Sequence, residues 1–364
     1  MIFTKEEVKM STSKNTQRFW EDVKEGDEIP GQTIYIDQTE IVIHVGATQN
    51  YDKVHFDREY TQAGGHADAF MHTTWYNGNF GKMLTEYIGI DGWIKKQSQQ
   101  MRRMNHPGDT TTFAGKVVRK YQENDEFLLD IEMWAGNQRE EVTTPARATV
   151  AIPSKNGWKP GFPVPSEEYT KITPIGPASE APNTRPRSEL KTPEDFLNEA
   201  KKWIGWESES TTFTYPMEHD PIRRFCHMTK DDNPLYLDPT YAKDTRFGGV
   251  ICPPSYHLTY REFWPPTEEN TGKMGSPSFE FETPGDHPAN LSSEEENFRP
   301  IYVGDVITSK KRYEDVYIKP LRVDPDTFWI TSATIYWNQK GEIVRINRGT
   351  LVKHRTPEEV TASN

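Results

Sequence analysis

The chain has 364 residues, which corresponds to about two domains at the usual ~150 residues each. Its net charge of −12 excludes a broad basic face for nucleic acid, because phosphates require positive charge. Only 34% of the residues are hydrophobic, but 10 Trp, 16 Tyr and 17 Phe supply large apolar areas from which two cores can be built.

The sequence contains no signal for a membrane or for a metal. No apolar run approaches the roughly 20 residues of a membrane span, and the first residues lack the apolar core of a signal peptide, so we expect a cytoplasmic protein. Cys226 and Cys252 lie in apolar surroundings and predict buried free thiols rather than a disulfide framework. Without Cys/His metal spacing or a glycine-rich phosphate loop, we expect no metal and no cofactor.

The first half predicts a central helix followed by antiparallel strands. Apolar residues in 32–36 and 40–46 recur irregularly, which fits either a strand or the start of a helix. Residues 66–88 contain no proline and carry large side chains at mostly helical spacing, so they predict one long buried helix. Strand-like runs follow at residues 93–104, 110–120, 126–135 and 147–153.

The second half repeats this order after a linker. Residues 154–190 are rich in Pro, Ser, Thr and Lys without periodicity, and they predict a linker that spans the surface without folding. Thr192 predicts the N-cap of a short helix, because Pro193 suits the first helical position and acidic residues follow it. Later elements are predicted as a helix or loop at 220–229, a helix at 255–263 and strands near 297–313, 327–337 and 343–353, with an insertion in the polar stretch 265–296.

Two motifs occur once in each half. The stretch from Asn50 to Tyr60 matches the stretch from Asp231 to Tyr241, 181 positions later (236 − 55 = 181). The pairs Gly108-Asp109 and Gly304-Asp305 each precede a strand-like run, and Gly with Asp is typical of tight turns. The chain therefore predicts two copies of one domain.

These residues resemble a known family. Asn50-x-Asp52-x-Val-His55-x-Asp57 is similar to the hydratase motif of MaoC-like acyl-CoA dehydratases, usually Asp-x-Asn-Pro-(Ile/Leu)-His-x-Asp. The second half more closely resembles the fatty-acid-synthase-like dehydratase type, at residues 222–225, 231–236, 241–242, 245–249 and 253–254. The resemblance implies an α+β fold of two tandem hot-dog domains, each a curved antiparallel sheet around a central helix, at residues 1–153 and 191–364 with a linker at 154–190.

The resemblance also implies a catalytic arrangement. In this family a carboxylate and a histidine hold a water that adds across the C2–C3 double bond of an enoyl thioester. His55 and Asp52, helped by Asn50, are the implied residues, and a histidine can accept or donate a proton near neutral pH. Backbone N–H groups near Met71 and His72 are the expected donors to the thioester carbonyl as it gains negative charge.

Two departures from the family motif concern activity. Asn50 stands at the aspartate position and cannot accept a proton at neutral pH, so either Asp52 supplies the carboxylate from a shifted loop or this half is catalytically weakened. Tyr236 stands at the position of His55, and a phenol with a pKa near ~10 is a poor base at pH 7. The family then implies that the second half is a structural partner that makes room for a large acyl group, with Asp231 as a turn or capping residue.

Other side chains are candidates for substrate binding. Arg102 and Arg103 lie on a strand-like run near Lys95 and Lys96, and the alternation of faces would allow about half of these cations to reach a coenzyme A phosphate. Asp68, beside His66, is a candidate acid/base for a hot-dog thioesterase, although an Asp in a first helical turn is explained by the helix dipole. The side chains expected to shape an acyl pocket are Trp75, Tyr76, Phe80 and Trp93.

The leading hypothesis is an enoyl-CoA hydratase or 3-hydroxyacyl-CoA dehydratase of fatty acid or steroid side-chain metabolism. The alternatives are a non-catalytic acyl-CoA-binding subunit of a hetero-oligomeric hydratase and a hot-dog thioesterase. Because the second domain can serve as the partner that a hot-dog domain needs, we expect a monomer of two hot-dog domains or a homodimer.

Overall fold

The structure is a computed structural model, and it describes residues 17–258 and 280–362. The first half contains short 3₁₀ helices at Trp20–Asp22 and Lys53–His55. Its other elements are β1 (Glu28–Tyr35), α1 (Gln38–Thr48), α2 (Arg58–Ala63), α3 (Thr73–Ile88), β2 (Trp93–Gln100), β3 (Thr110–Glu123), β4 (Glu126–Gly136) and β5 (Thr144–Ala151).

The remaining elements belong to the connecting segment and the second half. A short 3₁₀ helix lies at Arg187–Glu189. The helices are α4 (Glu167–Thr170), α5 (Pro193–Lys201), α6 (His219–Thr229), α7 (Pro234–Leu237), α8 (Pro239–Lys243) and α9 (Pro357–Ala362). The strands are β6 (Thr211–Thr212), β7 (His287–Asn297), β8 (Thr308–Ile318), β9 (Phe328–Trp337) and β10 (Ile343–His354).

All ten strands form one antiparallel sheet in the order β1-β3-β4-β5-β2-β7-β10-β9-β8-β6. The order of the second half mirrors that of the first, and the two halves join where β2 pairs with β7, from Lys96 opposite Glu296 to Gln100 opposite Ser292. The predicted α+β class with an antiparallel sheet is therefore confirmed. The boundaries predicted at 153/154 and 190/191 stay a prediction.

Helix α3 is the central helix of the first half, and nearly all of its side chains are buried. It begins at Thr73 rather than at residue 66, so the predicted start is wrong. Residues 66–72 instead form a loop, and the side chain of His72 caps the helix by accepting the N–H of Thr74. The helix ends as predicted at Gly89, whose φ of +76° favours a residue without Cβ.

The ambiguous segment 40–46 is helical. Asp37 caps α1 by accepting the N–H of Glu40 at 2.9 Å, and a left-handed Gln49 ends the helix. Its buried residues follow the helical spacing i, i+3, i+4, i+7, and they are Ile41, His44, Val45 and Thr48. Helix α1 packs against α6, its counterpart in the second half.

Two predictions for the second half are confirmed. Helix α5 carries the predicted N-cap, because Thr192 and Asp195 bond to each other's backbone in a capping box with Pro193 at the first helical position. The strands predicted near 297–313, 327–337 and 343–353 correspond to β8, β9 and β10, although β8 begins only at Thr308.

Three predictions for the second half are wrong in whole or in part. Strand β7 lies in the segment predicted as an insertion, and it was missed because most of its residues are polar. Residues 255–258 are not helical, and residues 259–263 of the predicted second central helix lie outside the described residues. The predicted linker is not only a surface connection between the domains, since Tyr169 and Ile172 are buried in a core with second-half residues.

The matched Gly-Asp pairs form equivalent turns. Gly108 and Gly304 have φ values of +94° and +96°. The carboxylate of Asp109 accepts the N–H of His106 at 2.8 Å, and that of Asp305 accepts the N–H of Tyr302 at 2.8 Å. This repetition supports the interpretation of the halves as two copies of one domain. Within 17–258 and 280–362, no helix has both the length and the apolar character needed to cross a membrane.

Candidate functional site

His55 is held at the end of a short 3₁₀ helix in the loop between α1 and α2. It is only 4% exposed, and its Nδ1 lies 2.9 Å from the carbonyl oxygen of Phe70. Since a carbonyl can only accept, Nδ1 carries the hydrogen and Nε2 carries the lone pair. Burial lowers the pKa of His55, while the bond to Phe70 and the charge of Asp52 act in the opposite direction. The neutral ring is therefore a base at Nε2.

The loop that precedes His55 keeps the register of its second-half counterpart. Asn50 Oδ1 accepts the N–H of Asp52 at 3.2 Å, just as Asp231 Oδ1 accepts the N–H of Asn233 at 3.0 Å. Asp52 Oδ1 in turn caps the 3₁₀ helix. The loop is therefore not shifted, and Asp52 occupies the position of Asn233. A catalytic role for Asp52 and Asn50 stays a prediction, and Asp52 acts on His55 through its charge.

Two histidines lie next to His55, and a third lies next to one of these two. The ring of His72 lies 4.9 Å from that of His55 between centroids, and the ring of His44 lies 6.0 Å from both. His257, from the second half, lies 6.2 Å from His72. We call His44, His55, His72 and His257 the histidine cluster. In the part of the chain that the structure describes, no group of three or more His, Cys, Asp or Glu side chains is arranged to hold a metal.

His44 is the most deeply buried member of this cluster. It is 0% exposed, and neither ring nitrogen has a hydrogen-bond partner among the described residues. Burial, with smaller contributions from His55 and His257, lowers the pKa of His44 to about 3, so the ring is neutral at physiological pH. Sequence reasoning missed His44, although the helical spacing of Ile41, His44, Val45 and Thr48 would have placed it on the buried face of α1.

The backbone N–H groups predicted near Met71 and His72 as donors to the thioester carbonyl differ in their hydrogen bonds. The N–H of Met71 donates to the carbonyl of Asn105 at 3.1 Å, so it is committed within the fold and its predicted role is wrong. His72 is the N-cap of α3, where the first N–H groups of a helix have no partner within the helix. The prediction that a thioester oxygen binds near His72 therefore stays a prediction.

The predicted acyl-pocket aromatics lie in closed cores. Trp75, Tyr76 and Phe80 are all 0% exposed and pack around Phe113, with ring centroids 5.1 to 6.4 Å apart. These rings stabilise the first-half core and do not line the clefts of the described structure. Trp93 is also buried, and it packs 4.9 Å from Phe162 in the second core. Trp75, Tyr76 and Phe80 therefore form no cleft wall in the described structure, because sequence does not distinguish a core aromatic from a pocket aromatic. Trp93 lines a small cavity of about 20 Å³ beside Tyr236, and its role in an acyl pocket stays a prediction.

Arg102 and Arg103 face a cleft of about 750 Å³ beside the cluster. Both residues follow the end of β2 rather than lying on the strand, and both N–H groups donate to the carbonyl of Thr143. Their guanidinium groups are exposed. The buried ring of Phe70 packs between this cleft and the histidine cluster, 5.2 Å from His55 and 6.4 Å from His106, a residue that lines the cleft. Binding of a coenzyme A phosphate by Arg102 or Arg103 stays a prediction.

Asp68, the candidate thioesterase residue, is paired with an arginine. Asp68 lies in the loop before α3 rather than in its first turn, so the helix-dipole explanation was wrong. Arg58 donates two hydrogen bonds to its carboxylate, at 2.9 and 2.5 Å, and holds the pKa of Asp68 below its usual range. A carboxylate paired in this way is a weak base, which disfavours the thioesterase alternative.

In the second half, the residues at the positions of Asn50 and His55 are buried. Tyr236 is 1% exposed, and burial raises its pKa well above the usual value. Asp231 is 6% exposed, and burial raises its pKa to about 6. Cys226 and Cys252 are free and buried, as predicted, and burial raises the pKa of both thiols. Asp231 serves as the predicted turn acceptor through its bond to Asn233.

Sequence comparisons match parts of this chain to a dehydratase family and to a hydratase subunit. The family described as "FAS1-like, dehydratase domain region" matches residues 202–347. A UPF0336 protein from Thermobifida fusca is 28% identical over 107 residues, a match that covers 28% of this chain but less than two thirds (62%) of that relative. The 3-oxo-4,17-pregnadiene-20-carboxyl-CoA hydratase beta subunit of Mycobacterium tuberculosis is 30% identical over 93 residues, covering 26% of this chain and 72% of the subunit.

Solved structures share the whole architecture. A MaoC domain protein dehydratase from Chloroflexus aurantiacus has a TM-score of 0.63 at 15% identity, covering 94% of this chain and 98% of its own. A protein from Mycobacterium tuberculosis described as a double hot-dog fold has a TM-score of 0.56 at 13% identity, covering 93% and 98% of the two chains. The chain therefore has the double hot-dog fold and belongs to the MaoC-like dehydratase family, with a FAS1-like dehydratase region in its second half.

Proposed function

We propose that this protein is a hydro-lyase that adds water reversibly to the C2–C3 double bond of an enoyl coenzyme A thioester, with His55 as its base. The observation that carries the proposal is the fixed tautomer of His55, a buried neutral ring whose Nδ1–H is held by Phe70 and whose Nε2 is an acceptor. A base that is neutral at physiological pH and fixed in orientation suits this chemistry.

One base is sufficient for the reaction. In the hydration direction, His55 Nε2 takes a proton from water while the water oxygen bonds to C3. The π electrons of the C2–C3 bond move towards C2 and the thioester carbonyl. The imidazolium of His55 then returns the same proton to C2, so that one water is added and His55 is regenerated. The nearby charge of Asp52 favours the imidazolium, because it raises the pKa of His55.

The proposed substrate is a bulky acyl-CoA. The M. tuberculosis relative is named for a 3-oxo-4,17-pregnadiene-20-carboxyl-CoA, which has a steroid acyl group. In this chain the exposed guanidinium groups of Arg102 and Arg103 face the cleft of about 750 Å³, and they suit coenzyme A phosphates there. The buried ring of Phe70 lies between His106, which lines that cleft, and His55.

Incubation of the purified protein with enoyl-CoA thioesters from short linear to steroid-sized tests the proposal. We expect a mass gain of one water on at least one thioester, no release of free coenzyme A, and loss of turnover in His55→Ala. Release of free coenzyme A would instead indicate a thioesterase. Unchanged turnover in His55→Ala would contradict the assignment of the base.

A second candidate function is a non-catalytic acyl-CoA-binding subunit. Two observations favour it: Asn50 stands at the family aspartate position, and the M. tuberculosis relative is itself named as a beta subunit. This candidate predicts that acyl-CoA binds, measurable by isothermal calorimetry, without any water gain across the panel. Water gain by the purified chain alone would exclude it.

A further inference from the structure

The junction of the two halves, where β2 pairs with β7, carries three buried side-chain oxygens that need a donor. They belong to Gln97 and Gln99 of β2 and to Glu295 of β7, all at most 5% exposed. Among the described residues, neither the two glutamine Oε1 atoms nor Glu295 Oε2 has a hydrogen-bond partner. Buried polar atoms in native proteins nearly always have one, so a donor is missing from this arrangement.

Gln97 and Glu295 are close enough to satisfy each other. They lie directly opposite in the pairing of β2 with β7, and such residues share a face with Cβ atoms about 5 Å apart. Gln97 Nε2 donates to Asn77 of α3, at the carbonyl oxygen (2.9 Å) and at Oδ1, so its Oε1 is the end left without a partner. The Asn77 side chain also forms a hydrogen bond with the Glu295 carboxyl. One asparagine therefore holds the amide and the carboxyl together.

An ionised Glu295 would be a buried charge without a paired cation among the described residues. Arg345 of β10 is the cation that acts on it, but Arg345 Nε donates to Asn297 Oδ1 at 3.0 Å and its terminal nitrogens donate to backbone carbonyls. Burial raises the pKa of Glu295, although Arg345 and the bond to Asn77 act in the opposite direction. Tyr336 of β9 also interacts with Glu295, and burial raises its pKa to about 12, so it stays neutral. The groups of α3 and β2 that face Glu295 are amides.

The first half has an amide at the equivalent position. The offset of 196 positions between the matched Gly-Asp turns also relates Gln99 to Glu295 (295 − 99 = 196). The strand pairing is symmetric under this offset, because Gln97 lies opposite Glu295 and Gln99 lies opposite Ser293. Gln99 uses its amide nitrogen as a donor, to the carbonyl of Thr73 at 2.7 Å. A protonated carboxyl has nearly the same shape as an amide and likewise offers one acceptor and one donor.

We propose that Glu295 is a neutral carboxylic acid whose Oε2–H donates to Gln97 Oε1, and that this bond positions helix α3. Asn77, Gln97 and Glu295 then form a closed ring of hydrogen bonds. Asn77 donates to Glu295, Glu295 donates to Gln97, and Gln97 donates to Asn77. We call these three residues the junction ring. As pH rises through the raised pKa of Glu295, its hydrogen leaves and the ring opens.

Helix α3 connects the junction ring to the proposed base. Asn77 lies about one turn after Thr73, the first residue of α3. The N-cap of the same helix, His72, has its ring 4.9 Å from that of His55. Glu295 of the second half is therefore a positioning residue for the first-half site. This role rests on the proposed hydratase function, whereas the neutral state of the carboxyl does not.

Infrared difference spectroscopy tests the neutral carboxyl without any substrate. The spectrum of the original protein minus that of Glu295→Gln at pH 7.5 should contain the C=O band of a protonated carboxylic acid. The control is Glu296→Gln, because Glu296 is the next residue of β7, pairs with Arg348, and should contribute only carboxylate bands. Carboxylate bands alone in the Glu295→Gln difference would overturn the proposal.

Steady-state kinetics on the best enoyl-CoA substrate tests the positioning role. Glu295→Gln keeps a donor and an acceptor, so we expect kcat within about twofold of the original at pH 7.5. Glu295→Leu removes both, and we expect kcat to fall about tenfold with KM within about threefold. The original protein should lose activity at lower alkaline pH than Glu295→Gln, which cannot ionise. Coincident alkaline limbs, or a kcat within twofold of the original in Glu295→Leu, would overturn the positioning role.

A third measurement separates this inference from the proposed function. Nitrogen-15 NMR of protein labelled only in histidine reports the His55 ring, assigned from His55→Ala, whether or not the protein turns over. We expect the His55 signals to shift in Glu295→Leu and to stay in place in Glu295→Gln. Unchanged signals in Glu295→Leu would overturn the coupling between the junction ring and the site. Shifted signals without any water gain on the thioester panel would support the coupling and refute the hydratase function.

Discussion

Replacement of Asp231 by Asn is expected to stabilise the protein at alkaline pH. The Asp231 side chain is buried, and its Oδ1 accepts the N–H of Asn233 at 3.0 Å, a bond that an Asn oxygen can also accept. Burial raises the pKa of Asp231 from 3.8 to about 6, although the backbone bond and Lys82 act in the opposite direction. Above pH 6 the folded protein therefore carries an unfavourable buried charge at this position.

The sign and magnitude follow from proton linkage. Between pH 4 and 6 the folded state keeps a proton that the unfolded state has released, so this group lowers the free energy of unfolding as pH rises. A shift of about 2 pKa units corresponds to about 3 kcal/mol at pH 8 and about 1.5 kcal/mol at pH 5. Asp231→Asn removes the charge, so its stability advantage should grow between these two pH values.

Urea unfolding at pH 5 and pH 8 measures this difference. The matched control is Asp232→Asn, because Asp232 is the exposed neighbour in the same turn. We expect the control to stay within about 0.5 kcal/mol of the original protein at both pH values. An Asp231→Asn variant that is no more stable than the original at pH 8, or whose advantage does not change with pH, would show that the Asp231 charge does not destabilise the fold.

Three further predictions concern the first half. Asp52→Asn should move the acid limb of the pH profile of kcat/KM to lower pH, because the Asp52 charge raises the pKa of His55; a move to higher pH would contradict this. The stability of His44→Phe relative to the original protein should be about 2 kcal/mol more favourable at pH 5 than at pH 7.5, as measured by urea unfolding. The folded pKa of His44 is about 3, so the original protein loses stability as pH falls below the pKa of His44 in the unfolded chain. The same stability difference at both pH values would contradict this. Gly108→Ala should cost about 1–2 kcal/mol in the same assay because its φ is +94°, whereas Gly46→Ala within α1 should cost nothing; equal effects would contradict the strain.

Local sequence signals predicted much of the fold because they depend on neighbouring residues alone. The Thr192 cap, the Gly89 helix end and the strands β3 and β4 follow from capping chemistry and side-chain alternation. Strand β7 could not be predicted in this way. Salt bridges across the sheet, such as those of Lys96 and Arg348 with Glu294, make this glutamate-rich segment compatible with a strand, and neighbouring residues in the sequence do not reveal these partners.

The candidate site was predicted only where the motif is contiguous in sequence. His55 was identified from its loop, and its burial agrees with a role as a neutral base. His44 and His257 were missed because they lie far from the motif along the chain and meet it only in the folded structure. Trp75, Tyr76 and Phe80 were assigned to a pocket because an aromatic side chain has the same sequence signal in a core and in a binding site.

We propose that the first half hydrates an enoyl thioester with His55 as its base. The most direct test is incubation of the protein and of His55→Ala with a steroid-sized enoyl-CoA in oxygen-18 water, with the product followed by mass spectrometry. We expect incorporation of one heavy oxygen by the original protein and a rate at least 100-fold lower in the variant. Equal incorporation by both proteins would contradict it.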